Sequence, residues 1–263
     1  MNDAATIVYE PAHGRQVDAA SQLAAELGSR MAARLVAVTQ TLGGGRRRAR
    51  RLAAVAAQEA ASLLIVAVDE PSPLDLNLFG RGSAEVVRTA PCPVVLVPPA
   101  LAGSEPPLLA GDHLLWAVAD HCDRGCAAVV AGMARELELP VTVAHVLPNA
   151  LDATASGELM ATRLAGWLVD GLLIRLAEHD PQLADTSTVR LGCGDPGPQL
   201  RQLGDDEGAA MAVVGCRGWG SLRAAALGSV SSYLARYGAT PVVVCPPAMR
   251  QAPRQRLTHD AAA

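Results

Sequence analysis

The chain contains no lysine, and all 22 of its Lys+Arg residues are arginine. A Walker-type P-loop, which uses a lysine to reach the outer phosphates, is therefore excluded. Aromatic residues make up only 3% against 50% hydrophobic overall, so any core must be built from alanine, valine and leucine. With 263 residues there is room for two such cores, and the length sits near the upper end for one domain. Six scattered cysteines are too sparse for a disulfide framework, and reduced thiols are expected. Basic residues are not in excess either. A formal net charge of -4 argues against a dedicated nucleic-acid binder. The apolar runs fall short of a membrane span, and the opening MNDAATIVYE has neither a basic leader nor a signal-peptide core. The expectation is a soluble, cytoplasmic protein with no membrane or nucleic-acid partner.

The most informative stretch runs from Ala210 to Pro246. Ala210 to Val214 is too short for a helix and suits a strand buried on both faces; Gly215 ends it and Gly218 follows. Nine residues later come Gly228 and Ser229, then a short helix over Val230 to Tyr237, then Gly238, where a left-handed cap is expected. Thr240-Pro241 punctuates, and Val242-Val243-Val244 is a second buried strand. Glycines admit a phosphate close to the backbone, and a helix start presents unpaired N–H groups with about half a positive charge. This arrangement is a lysine-free anion cradle, to which the Ser229 and Ser231 hydroxyls can also donate.

The rest of the chain alternates strands and helices. Strands are expected at 6–9, 35–38, 63–68 and 94–97, with helices over 13–30 and about 46–61 and another opening at 79–83. Residues 98–107, rich in proline and alanine, read as a linker. A second series follows, with strands at 113–119, 140–146 and 186–191, helices over 123–137 and 156–178, and a helix opened by Pro196. Ala90-Pro91-Cys92-Pro93-Val94-Val95-Leu96-Val97 echoes Ala239-Thr240-Pro241-Val242-Val243-Val244, and Gly82-Ser83 echoes Gly228-Ser229. The chain is thus a tandem repeat of open parallel sheets covered by helices on both faces, with ligands expected beyond the carboxyl ends of the strands. The first unit lacks room for the helix and strand at 156–191. It also carries Val68-Asp69-Glu70-Pro71 where the second has Gly215 and Gly218, and two carboxylates there repel phosphate.

Gly215-x2-Gly218-x9-Gly228-Ser229, followed by Val230-Ser231 and a Pro-Val-Val-Val strand, resembles the ATP-binding signature of the universal stress proteins. The resemblance implies two tandem Rossmann-like, adenine nucleotide alpha hydrolase-like domains: a truncated, degenerate one over 1–100 and an ATP-binding one over 111–248. It places Asp120 and Val146 at the adenine end, Val214 and Gly215 near the ribose, and Gly218, Gly228, Ser229, Val230 and Ser231 at the phosphates. The implied ligand is ATP with Mg2+, and the implied role is regulatory, in a stress response. Self-association is expected through the domains, as a pseudo-dimer or a homodimer. The alternative is a slow ATP hydrolase or adenylyl-transferring enzyme on the same fold; no catalytic motif surrounds Asp120, Asp195, Asp205 or Asp206, so weak ATPase activity is the most expected of it.

Four other features have plainer readings. Gly192-Cys193-Gly194-Asp195-Pro196-Gly197 fits G-x-G-x-x-G, but Asp195 and Pro196 spoil a pyrophosphate site and suit a helix-opening turn. Cys122 and Cys126, beside His121, lack the further ligands a metal needs. The run from Arg46 to Arg51 could face an anion, a nucleic acid or an acidic partner, against a solvated helix end as the commoner case. His145 reads as a strand-end histidine rather than a base.

Overall fold

Short runs of aliphatic residues, most of them buried along their whole length, form the sheet. The computed structural model describes residues 5–11, 18–39, 45–68, 81–118, 124–147, 180–215 and 228–246, and in the helical stretch before 180 the residues 166, 167, 169–171, 173, 174 and 176–178. In chain order the elements are β1 (Thr6–Tyr9), α1 (Ala19–Arg30), β2 (Arg34–Ala37), α2 (Gly45–Gln58), β3 (Leu63–Ala67), α3 (Arg81–Thr89) and β4 (Val94–Val97). After a 3-10 turn at Pro99–Leu101 come β5 (His113–Val118), α4 (Arg124–Leu137), β6 (Val141–Leu147), α5 (Pro181–Thr186), β7 (Thr188–Cys193), α6 (Pro196–Glu207), β8 (Ala209–Gly215), α7 (Ser229–Tyr237) and β9 (Val242–Cys245).

Among the described residues these strands make one nine-stranded sheet in the order β2-β1-β3-β4-β9-β8-β5-β6-β7. Every neighbouring pair is parallel except β4 and β9, which run antiparallel with Val94 opposite Val244, Val95 opposite Val243 and Leu96 opposite Val242. That register is self-consistent under a two-fold rotation about the Val95–Val243 pair. Both strands follow a proline whose carbonyl accepts from the neighbouring strand at 3.0 Å, Leu64 N–H to Pro93 and Ala212 N–H to Pro241.

Because side chains alternate across a strand, the sheet buries two separate cores. One face packs α1, α4, Leu176 and the connector residues Leu101, Leu108 and Leu109 against Ile7, Ile65, Val95, Trp116, Val143 and Val213. The other packs α2, α3, α6 and α7 against Val8, Leu64, Leu96, Leu115, Val146 and Val244.

The two halves superimpose in sequence at a constant displacement from α2 to β4. Ala49, Leu52 and Ala56, buried in α2, stand over Gly197, Leu200 and Gly204, buried in α6; α3 and α7 have equal lengths, as do β4 and β9. This register corrects the pairing of Gly82-Ser83 with Gly228-Ser229: Arg81 falls on Ser229 and buried Ser83 on buried Ser231, while Ala67 falls on Gly215. The truncation expected of the first half is a missing edge. Among the described residues its β2 has no outer neighbour and is mostly exposed, whereas the equivalent β6 is flanked by β7 and buried up to its last residue.

The 98–107 segment is tied down at its far end. Both carboxylate oxygens of Glu26 in α1 accept from consecutive amides, Leu108 N–H at 2.8 Å and Leu109 N–H at 3.0 Å, and Arg30 Nη2 donates to the Leu109 carbonyl at 3.1 Å. Smaller departures have local causes. The helix expected from residue 13 starts at Ala19, because Asp18 is extended and caps the Ala20 amide at 3.1 Å. The strand expected at 186–191 is displaced to β7 by the short helix α5, whose Asp180 cap and leading Pro181 make a start signal inside a polar stretch.

Gly238 is not left-handed; its φ is -72°. Glycine is required there by proximity, since a Cβ would lie 2.5 Å from the Leu234 carbonyl oxygen. Gly132, inside α4, has nothing within 4 Å of a Cβ. Gly238→Ala is therefore expected to cost about 1–3 kcal/mol, and Gly132→Ala to gain about 0.5–1 kcal/mol by removing backbone freedom from the unfolded chain. Thermal melts of the two variants should move in opposite directions.

Candidate functional site

Parallel sheets offer ligands the carboxyl ends of their strands, and in the second half those ends belong to β8, β5 and β6, side by side. Val214 and Gly215 close β8, where Gly215 pairs with Cys245 and, among the described residues and apart from its chain neighbours, has no atom within 4 Å of a Cβ position. Val146 is the penultimate residue of β6, opposite Gly192 of β7; its side chain is 8% exposed and belongs to the α6 and α7 core. The Val146 side chain is thus turned into the core and leaves its backbone at the strand end. β6 and β8 flank β5, so Val146 and Gly215 lie two strands apart, about 10 Å. Asp120, beyond the end of β5, and Gly218, beyond β8, lie outside the described residues.

The start of α7 completes this edge. Gly228 is the residue before the helix, Ser229 is exposed, Val230 is half-buried, and Ser231 is buried with its hydroxyl donating to the Gly228 carbonyl at 3.0 Å. Helix geometry leaves the first amides without partners inside the helix. Elsewhere in the described chain aspartate fills that role: Asp18 for α1, Asp180 for α5 and Asp195 for α6 each accept from an amide of the following turn. Gly228 offers no side chain, and α7 begins without a side-chain cap. The same comparison settles the Gly192–Gly197 turn as a helix opening, with Asp195 capping and Pro196 at the first helical position.

One residue contributes more than its sequence suggested. His145 is buried in β6, and its Nδ1 lies 2.8 Å from the carbonyl oxygen of Val118, the last residue of β5. A carbonyl only accepts, so Nδ1 carries the proton and donates. The imidazole thus holds the end of β5 against β6 just before the chain continues to Asp120. No sequence pattern announces this, because the bond joins residues distant in the chain.

Among the described residues no three His, Cys, Asp or Glu side chains gather as a metal cage, and no helix is long and apolar enough to cross a membrane. Cys92, Cys126 and Cys245 are buried and Cys193 is exposed; burial pushes the Cys92 thiol up to about 12.

The universal stress protein family matches the chain over residues 2–98 and 113–246. The chain belongs to that family. No curated protein matches it in sequence. Among solved structures, a functionally unknown protein from Pseudomonas aeruginosa shares the fold with a TM-score of 0.59 at 15% identity, covering 94% of this chain and 95% of that one. A universal stress protein from Archaeoglobus fulgidus, 19% identical, covers 81% of this chain and 69% of that one with a TM-score of 0.49. Another from the same organism, in complex with dAMP, is 20% identical and covers 50% of this chain and 95% of its own, with a TM-score of 0.35. This universal stress protein therefore has the Rossmann-like α/β fold in two tandem family segments.

Two outcomes are expected of the site's surroundings. His145→Ala should lose about 1–3 kcal/mol by stranding the Val118 carbonyl, and His145→Asn, whose amide can still donate, should lose less; equal losses in urea melts would show that the bond contributes nothing. Iodoacetamide at pH 8, followed by peptide mapping, should alkylate Cys193 in the folded protein and reach Cys92 only after unfolding, because buried thiols with raised pKa hold little thiolate.

Proposed function

We propose that this universal stress protein is a regulatory, cytoplasmic nucleotide-binding protein that holds one ATP per chain in its second half, with partners reading the conformation or assembly that bound ATP favours. The observation that carries this reading is the uncapped start of α7. Where α1, α5 and α6 are capped by aspartate, α7 presents Gly228 and an exposed Ser229 at the carboxyl edge of the sheet. A negative cap would repel phosphate, and its replacement by glycine leaves amides, a helix dipole and a hydroxyl for an anion.

In this reading residues 111–248 form the binding unit. Gly218, Gly228, Ser229, Val230 and Ser231 hold phosphates, Val214 and Gly215 lie near the ribose, and Asp120 and the backbone of Val146 frame adenine. Magnesium would arrive on the phosphates, as is usual for this cation, which keeps most of its waters. Residues 1–100 form a partner unit without nucleotide. Supporting this asymmetry, Ala67 occupies the place of Gly215, and buried Glu10, just past β1, is ion-paired with Arg48 of α2 at 2.7 Å at the corresponding edge. The two units associate within the chain as a pseudo-dimer, or chains pair as homodimers.

Calorimetry with ATP and magnesium should give one site per chain. A micromolar affinity corresponds to about -8 kcal/mol, and each charge-assisted hydrogen bond to phosphate contributes roughly 1.5–3 kcal/mol. Gly218→Val should abolish binding by blocking backbone approach. Gly228→Asp should do so while the unliganded protein melts at or above the parent temperature, since aspartate caps helices well and Gly228 has an ordinary φ of -59°. ATP at a hundred times its dissociation constant should stabilise the parent by about 2.7 kcal/mol and neither variant. Two sites per chain, or undiminished binding in Gly228→Asp, would refute the reading.

A further inference from the structure

The first two turns of α2 break the electrostatic rules for a helix start. The helix reads GRRRARRLAAVAAQ and contains no acidic residue. Ala49, Leu52 and Ala56 turn to the core and Arg48 pairs with Glu10, and Arg46, Arg47 and Arg50 are exposed. Arg46 and Arg50 are four residues apart, the spacing at which like charges on a helix repel. Arg46 and Arg47 stand in the first turn, at the positive end of the helix dipole, where cations destabilise. The one carboxylate of α3 beside them, Glu85, is already hydrogen-bonded to Arg88, which with Arg46 and Arg50 holds it below the usual carboxylate range.

The fold does not demand this arrangement. In the second half α6 occupies the equivalent place with Asp195 as its cap and proline at its first position, and Arg47 falls where Asp195 stands. A solvated face on a chain of net charge -4 would mix signs, as α6 does with Arg201 and Asp205 at four-residue spacing. A cluster that costs the native state stability, at a position whose repeat counterpart avoids the cost, is the mark of a surface kept for a ligand.

We propose that the face of α2 carrying Arg46, Arg47 and Arg50 is a docking surface for a carboxylate-rich segment of a partner protein. Guanidinium groups match carboxylates in a two-pronged geometry. Nucleic acid is the poorer fit: neither α2 nor α3 carries an aromatic side chain on which a base could stack, and the charged strip covers only two helical turns. The inference is independent of nucleotide binding, since it concerns the half assigned no nucleotide.

The test uses the full chain and a fluorescein-labelled octaglutamate peptide, with anisotropy read at low and high salt. The parent should bind with an affinity that falls steeply with salt. Arg46→Gln/Arg47→Gln/Arg50→Gln, which keeps helix propensity, should lose at least tenfold in affinity and flatten the salt dependence, and its melting temperature should hold or rise. Arg201→Gln should bind as the parent does. Absence of peptide binding by the parent, equal binding by the triple variant, tighter binding of a single-stranded oligonucleotide of equal charge, or a lowered melting temperature in the triple variant would each overturn the proposal.

Discussion

The antiparallel contact between β4 and β9 governs the layout of this protein. Every other strand pair is parallel, so this single reversal sends the carboxyl ends of the two halves to opposite long edges of one continuous sheet. The start of α2 in one half and the start of α7 in the other therefore lie at opposite edges of the sheet. The contact tolerates no slip. Both strands are buried along their length, and a shift by one residue would send Val94, Leu96, Val242 and Val244 into the wrong core. Two different surfaces can thus evolve on the two edges without crowding, one at the uncapped helix and one at the arginine face.

Much of this could be read from the residues. Strands such as Leu63–Ala67 and Val242–Cys245 are short, β-branched and bounded by turns, and they fall where periodicity and punctuation put them. The repeat was visible in the proline-led valine strands, but its register was not. Gly82-Ser83 looks like Gly228-Ser229 by identity, whereas the helix ends and buried positions set Arg81 over Ser229. Local identity misled because a helix fixes position by which residues are buried, and Ser83 and Ser231 share that property. Gly238 shows the same limit: its composition suggested a left-handed cap, while a close approach to the Leu234 carbonyl is what demands glycine. The His145 to Val118 bond and the Glu26 clamp join residues far apart in the chain, so no windowed pattern can contain them.

The halves have diverged by loss as well as substitution. Without a counterpart to β7, β2 is one of the two edges of the sheet among the described residues, and Leu35 is 39% exposed there. Open edges invite unwanted pairing, and charge is the usual deterrent. Arg34 lies on β2 and is paired with Glu59 at 2.5 Å. The shortening left room for α2 to follow β2 closely, which brings Arg48 to Glu10 across the end of β1.

The connector between the halves has an unexpected standing. Its composition is that of a spacer, and Ala102, Gly103, Glu105, Pro106 and Pro107 are indeed exposed, yet Leu101 on one side and Leu108 and Leu109 on the other are buried in the core and the latter pair is gripped by α1. Cohesion between the halves resides in the valine ladder and in this grip, not in the covalent path through the exposed tip. A cut within that tip would leave two fragments that still share one sheet, and new chain ends could be opened there without dividing the molecule. The peptide link serves to deliver the two halves in equal number and close together, while the assembled sheet keeps them so.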